Sequence, residues 1–384
     1  MRFEFATATR IIFGQGTIKE LAPAARSFGE RALVVVGESG GRAEGIIDQL
    51  NKEGVSASEF HVTGEPTVAM VLEGLEQARA RGCELVISLG GGSVIDAGKA
   101  IAGLMSNPGE IYDYLEVVGK GNQLTKPSAP YIAIPTTAGT GSEVTRNAVI
   151  NVTDRKVKVS LRSAHLLPRL AIVDPELAYS LPPDRTASSG LDALTQLIEP
   201  FLTSAANPMT DSICREGMVR AARSLRRAYE HGDDTHARED MALASLFGGM
   251  ALANAKLGAV HGFAGPIGGM FPAPHGAICA RLLPVVVETN LKAIQDRDRQ
   301  RPGLERFTEM SRLLTGDPDA RAEDGIRWLH ELCAALKVPP LATYGITAGD
   351  LPEIIAQAKK ASSMKGNPIE LTDGELNRIM ELAL

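Results

Sequence analysis

The chain has 384 residues, more than one ordinary hydrophobic core serves, so two domains are expected. Hydrophobic residues at 44% against 22% charged give the balance of a globular protein, and a formal net charge of −6 argues against a nucleic-acid partner, which needs a basic face. No apolar run approaches the roughly 20 residues of a membrane helix, and Met1-Arg2-Phe3-Glu4-Phe5 lacks the apolar stretch of a secretion signal.

Ala32-Leu33-Val34-Val35-Val36 stops at Gly37 and reads as a buried strand. The segment from Val68 to Arg81 has apolar positions at helical spacing. Glu84-Leu85-Val86-Ile87-Ser88-Leu89, ending at Gly90, and Tyr131-Ile132-Ala133-Ile134, stopping at Pro135, read as two further strands. Strands alternating with helices predict a parallel sheet covered on both faces, with ligands at the C-terminal strand edge. After Ala171-Ile172-Val173-Asp174-Pro175 the pattern changes, and from Pro183 on it is helical, as over Asp211–Tyr229 and Ala237–Lys256. The expectation is an α/β domain over 1–182 and an all-α domain over 183–384. Gly14-Gln15-Gly16 reads as a plain turn.

Gly90-Gly91-Gly92-Ser93-Val94-Ile95-Asp96-Ala97-Gly98-Lys99 follows a strand and opens a helix. Glycines there let backbone approach a pyrophosphate, and the free amides of a helix start carry partial positive charge. The loop is neither GxGxxG nor a Walker loop, and a turn that needs glycine only for its backbone angles is the competing reading. Pro135–Thr145 follows another strand and places five hydroxyls (Thr136, Thr137, Thr140, Ser142, Thr145) and two glycines in eleven residues. One helix cap does not require five hydroxyls, so this too is read as a ligand loop.

Asp192 and Gln196 stand at i and i+4 in Ser189-Gly190-Leu191-Asp192-Ala193-Leu194-Thr195-Gln196, on one face of a helix. Val260-His261-Gly262 and Pro274-His275-Gly276 place two of the seven histidines fourteen residues apart. One carboxylate and two imidazoles suit a borderline divalent ion with a position open for substrate. By spacing alone the set is not specific, and two core histidines satisfying their own hydrogen bonds remain the alternative. Cys83, Cys214, Cys279 and Cys333 form no CxxC pair, so neither disulfides nor a cysteine zinc knot is expected, and a reducing cytoplasm fits.

Together these segments resemble the iron-containing (group III) alcohol dehydrogenases along nearly the whole chain, most specifically in GGGSVIDAGKA, IPTTAGTGSEVT, LPPDRTASSGLDALT and the HG…PHG segment, in the family's order. The resemblance implies a doubly wound Rossmann-like domain and a helical domain, the dehydroquinate synthase-like architecture, with the cofactor in the cleft between them. It implies Gly91, Gly92, Ser93 and Asp96 at the cofactor pyrophosphate, and Thr136, Thr137, Thr140 and Ser142 along the nicotinamide ribose. It further implies Asp192, His261 and His275 as metal ligands, a small alcohol or aldehyde as substrate, and a homodimer or larger assembly.

Two positions depart from the family pattern. Where the family has DALTH, this chain has Gln196, a weak oxygen ligand; where a further histidine follows four residues after His261, it has Gly265. The remaining ligands resemble the Asp/His/His set of the zinc-holding glycerol dehydrogenases, which leaves Fe²⁺ and Zn²⁺ both open. After Val36, where NAD-dependent members carry aspartate, stands Gly37, followed by Glu38; NAD is the expected cofactor, with NADP left open. The alternatives are a maleylacetate reductase, a reductase of anionic aldehydes using Arg146, and a cofactor-binding protein whose metal site has decayed.

Overall fold

A computed structural model describes residues 2–37, 42–297 and 303–384, so Glu38 lies outside the described residues. The strands are β1 (Ile11–Phe13), β2 (Arg31–Val36), β3 (Ser56–His61), β4 (Leu85–Gly90), β5 (Tyr131–Pro135), β6 (Asn147–Val152), β7 (Val157–Arg162) and β8 (Leu170–Val173). In the first half the helices are α1 (Leu21–Arg26), α2 (Arg42–Lys52), α3 (Val68–Ala80), α4 (Gly92–Ser106) and α5 (Ile111–Tyr114). The second half continues with α6 (Pro183–Leu202), α7 (Pro208–Glu230), α8 (Thr235–Asn254), α9 (Ala259–Met270), α10 (His275–Arg297), α11 (Gly303–Thr315), α12 (Ala322–Ala335), α13 (Leu351–Ala358) and α14 (Asp373–Ala383).

The chain divides into two units. One holds Thr7–Thr137 and Gly141–Ala178; the other holds Tyr179–Leu384 with Ala138–Thr140 and the N-terminal residues through Ala6. In the first, six strands form a sheet in the order β1-β8-β5-β4-β2-β3, every pairing parallel. The run at 32–36 is buried on both faces because its side chains alternate between two cores. Ala32, Val34 and Val36 pack with α1 and α2, while Leu33 and Val35 pack with α3 and α4. This is a doubly wound sheet, and β6 and β7 add an antiparallel hairpin to the α3/α4 side.

The C-terminal ends of β2, β4 and β5 bound a hollow lined by Gly37, Leu89, Gly90, Gly91, Val94 and Thr136. It lies at the strand edge where parallel sheets take ligands. The second unit is helical. Its centre is α6, buried over most of its length and packed against α7, α8 and α10. No single helix among the described residues is long and apolar enough to cross a membrane.

Candidate active site

Three helices of the second unit bring one carboxylate and two imidazoles together. Asp192 lies in the third turn of α6, His261 in the first turn of α9, and His275 is the first residue of α10. That start of α10 is possible because residue 276 is glycine: a Cβ there would stand 2.5 Å from the carbonyl oxygen of Ser188 in α6. Asp192 Oδ1 lies 3.6 Å from His261 Nε2 and 3.7 Å from His275 Nε2. Those distances exceed a hydrogen bond, and Oδ1 is buried without any hydrogen-bond partner. An orphaned carboxylate oxygen facing two ring nitrogens at that spacing is the arrangement a shared cation satisfies, so the residues present fit a divalent metal.

Glu199 holds His261 in place. One carboxylate oxygen accepts from the Val260 amide at 2.7 Å, and the other lies 2.7 Å from His261 Nδ1. A carboxylate only accepts, so the imidazole proton sits on Nδ1 and Nε2 presents its lone pair toward Asp192 when the ring is neutral. Glu199 is seven residues after Asp192 on α6, two turns along the same face.

A fourth group completes the cluster. Cys279, one turn into α10 from His275, has its sulfur 3.6 Å from His275 Nε2 and 3.9 Å from His261 Nε2. One donor atom from each of Asp192, His261, His275 and Cys279 lies within 4.8 Å of the others. Burial disfavours charge on His275, but Cys279 and Asp192 outweigh it and push the imidazole up to about 9. His261 is likewise held well above its ordinary range, against burial, by Cys279, Asp192 and Glu199. Burial would raise the Asp192 carboxyl, yet the two histidines and Cys279 hold it below its ordinary range. The site is built to hold positive charge.

Gln196 donates its amide nitrogen to Asp192 Oδ2 at 3.1 Å, and its Oε1 is buried without a partner. The donor end of the amide, not the oxygen, faces the carboxylate. At Gly265 an added Cβ would meet no heavy atom within 4 Å, so a side chain could start there without a clash.

In the first unit the glycine loop caps α4. Gly91 is the N-cap with φ −75° and ψ −174°, and it offers no side chain to the helix start. The next amides, of Gly92, Ser93 and Val94, have no intrahelical acceptor. A Cβ on Gly91 would meet only Thr137, at 3.4 and 3.5 Å, an ordinary contact. Neither backbone angle nor packing within the unit requires glycine there. Gly37, at the end of β2, is equally unconstrained, with a prospective Cβ 3.5 Å from Val94.

The second loop is gripped by α4. Lys99 is fully buried and its Nζ donates to Ser142 Oγ at 2.9 Å, Thr145 Oγ1 at 2.8 Å and the Asn147 carbonyl at 2.6 Å. Asp96 accepts from the Ser142 hydroxyl on one oxygen and from the Val149 amide on the other, at 2.9 Å. Thr136, Thr137 and Thr140 are partly exposed, whereas Ser142 is buried in this network.

Glu143, in the same loop, is buried with Oε1 unpartnered; burial pushes its carboxyl up to about 7, against its own backbone hydrogen bond and Lys99. A folded-state pKa raised above the unfolded value means stability is full below 4.5 and is lost as pH rises through 7, a loss of about 3 kcal/mol. Glu143→Gln is therefore expected to melt higher than the parent at pH 8 and close to it at pH 5. An equal difference at both values in thermal scans would refute the assignment.

Two family models cover the chain: "Iron-containing alcohol dehydrogenase" matches residues 8–175, and "Fe-containing alcohol dehydrogenase family, C-terminal" matches 186–384. Alcohol dehydrogenase 4 of Schizosaccharomyces pombe is 35% identical, over 97% of this chain and 87% of its own length. The 1,3-propanediol dehydrogenase of Citrobacter freundii is 33% identical, over 99% of this chain and 98% of its own. A solved 1,3-propanediol oxidoreductase superposes with a TM-score of 0.92 at 32% identity, covering 100% of both chains.

Proposed function

This chain belongs to the iron-containing alcohol dehydrogenase family, and from that premise we propose that Asp192, His261 and His275 hold its divalent ion. It is a nicotinamide-dependent oxidoreductase that moves a hydride between the cofactor and an alcohol or its carbonyl form. The observation that carries the residue assignment is the buried, partnerless Oδ1 of Asp192 between two imidazole nitrogens.

When bound, the ion supplies Lewis acidity toward the substrate oxygen, and the nicotinamide supplies the hydride acceptor or donor. The rest is done by this chain's side chains and backbone. Asp192 contributes the negative charge and the two imidazoles contribute neutral nitrogens. Glu199 keeps the His261 proton on Nδ1, so that Nε2 stays free. His275 is 35% exposed and marks the side from which substrate enters. Gly265 offers no imidazole to take the alcohol proton, which leaves to water or to the cofactor ribose hydroxyls.

Gly91, Gly92 and Ser93 approach the cofactor pyrophosphate through the open start of α4. Thr136, Thr137 and Thr140 lie along the ribose, and Gly37, with no carboxylate to repel a 2′-phosphate, admits NADP as well as NAD. Asp96, Ser142 and Lys99 act by fixing the second loop, since their polar atoms are engaged with one another. The division of labour is a dinucleotide-binding part over 1–182 and a metal-holding part over 183–384. A small alcohol substrate, a homodimer or larger assembly, and the cytoplasm, where the free thiols Cys83, Cys214, Cys279 and Cys333 stay reduced, complete the proposal.

Chelator treatment tests it. The stripped enzyme is expected to lose alcohol-dependent NAD(P)H formation in a screen of short-chain alcohols while still binding NADH by fluorescence titration. Readdition of Zn²⁺ or Fe²⁺ restores turnover. Full activity in a preparation with no bound metal would refute the reading.

A further inference from the structure

We propose that Cys279 is the fourth protein ligand of this ion, that the resulting Asp/His/His/Cys set selects zinc over ferrous iron, and that the substrate oxygen enters by expanding the ion from four- to five-coordinate. The inference rests on the assignment of Asp192, His261 and His275 as the other three.

The residue at 196 does not fill the fourth position. Its amide nitrogen is committed to Asp192 Oδ2, and a carboxylate cannot donate, so the amide oxygen is the end turned away. What stands beside the three donors instead is a sulfur. Cys279 follows His275 by four residues on α10, which puts both side chains on one face of the helix, and it is fully buried. The other two buried cysteines have different surroundings. Cys333 donates toward the Ala280 carbonyl at 3.5 Å, and burial pushes its thiol up to about 12; burial also raises the Cys214 thiol. Only Cys279, among the described cysteines, points at ring nitrogens and a carboxylate.

The spacing fits a tetrahedral ion. With sulfur about 2.3 Å and nitrogen or oxygen about 2.0–2.1 Å from zinc, tetrahedral neighbours stand about 3.4 Å apart, or about 3.6 Å where one is sulfur. The separations here are 3.6 and 3.7 Å between Asp192 Oδ1 and the two Nε2 atoms, and 3.6 and 3.9 Å from Cys279 Sγ to the same nitrogens. Donors at right angles with those bond lengths would approach about 3 Å, closer than any of these four separations. A thiolate is a soft donor and suits zinc, which has no geometric preference of its own to resist four-coordination and stands above ferrous iron in affinity for such sites. Cysteinate and aspartate together also neutralise a 2+ ion, which a buried site requires.

Cobalt(II) reports the ligand set directly. Chelator-stripped full-length enzyme is reconstituted with Co²⁺ under anaerobic conditions, and its absorption spectrum is recorded for the parent, Cys279→Ser, Cys279→Ala and His261→Ala. The parent is expected to bind one Co²⁺ per chain, with intense visible bands of a tetrahedral site and a near-ultraviolet thiolate-to-cobalt charge-transfer band. Both Cys279 variants should keep the ion yet lose the near-ultraviolet band, and their preference for Zn²⁺ over Fe²⁺ in competition should fall at least about tenfold. His261→Ala should lose the ion itself. A parent that binds Co²⁺ without the charge-transfer band, or a band that persists in Cys279→Ser, overturns the role of Cys279 and leaves the three-ligand site standing. A parent that binds no Co²⁺ overturns both.

Discussion

His261→Ala and His275→Ala are each expected to leave a folded protein without stoichiometric metal and with turnover reduced more than about 100-fold, since losing even an outer partner of a metal ligand costs about 10–100-fold. The two imidazoles face the same carboxylate oxygen at 3.6 and 3.7 Å, so neither can substitute for the other. NADH affinity should survive, because the glycine loop and the hollow at the strand edge belong to the other unit. If the histidines are instead packing residues, the variants will melt lower yet retain metal and turnover per folded molecule. His261→Ala should also cost more stability than His275→Ala, because it strands the buried Glu199 carboxylate, whereas His275 is partly exposed. Metal content, melting temperature and kcat on one preparation separate the cases.

The second large effect is expected at Gly91→Val. The backbone there, φ −75° and ψ −174°, is extended and suits a branched residue, and a Cβ meets Thr137 only at ordinary contact distance. The fold should therefore tolerate the change. The two added methyl groups stand at the mouth of α4, where the amides of Gly92, Ser93 and Val94 are open. NADH affinity is expected to fall at least about tenfold, or about 1.4 kcal/mol, with little change in melting temperature. Unchanged affinity in fluorescence titration would show that the pyrophosphate does not approach this loop.

The strands at β2, β4 and β5 and the helix α3 are legible in the sequence to within about a residue because each is a continuous apolar or helically periodic run closed by glycine, proline or a polar turn. Four other strands carry no such signal. β1 is three residues long; β3, Ser-Ala-Ser-Glu-Phe-His, is a polar sheet edge; β6 and β7 form a half-exposed hairpin whose apolar positions alternate with polar or partly exposed ones and make no continuous run. Pairing across the chain, not local preference, makes these strands.

The site shows the same division. Asp192, His261 and His275 are singled out by the family motifs around them, since their spacing alone is not specific. Glu199 and Cys279 lie at i+7 from Asp192 and i+4 from His275, spacings that share a helix face, but a glutamate in a helix and a single cysteine look ordinary until the helices are placed together. Lys99 closes a motif that resembles a phosphate loop, yet its ammonium is buried and bonded to the second loop. Gln196 reads as a ligand by position and turns its donor end to Asp192 by geometry. Side-chain direction across elements is what one-dimensional spacing does not encode.

The central claim is the location of the metal, and anomalous X-ray scattering from crystals of the holoenzyme, recorded on both sides of the zinc and iron absorption edges, tests it most directly. One strong peak is expected, bounded by Asp192 Oδ1, His261 Nε2, His275 Nε2 and Cys279 Sγ, present above the zinc edge and collapsing just below it. A protein active in alcohol oxidation whose maps show no peak among those four atoms, or whose metal lies elsewhere, would contradict it.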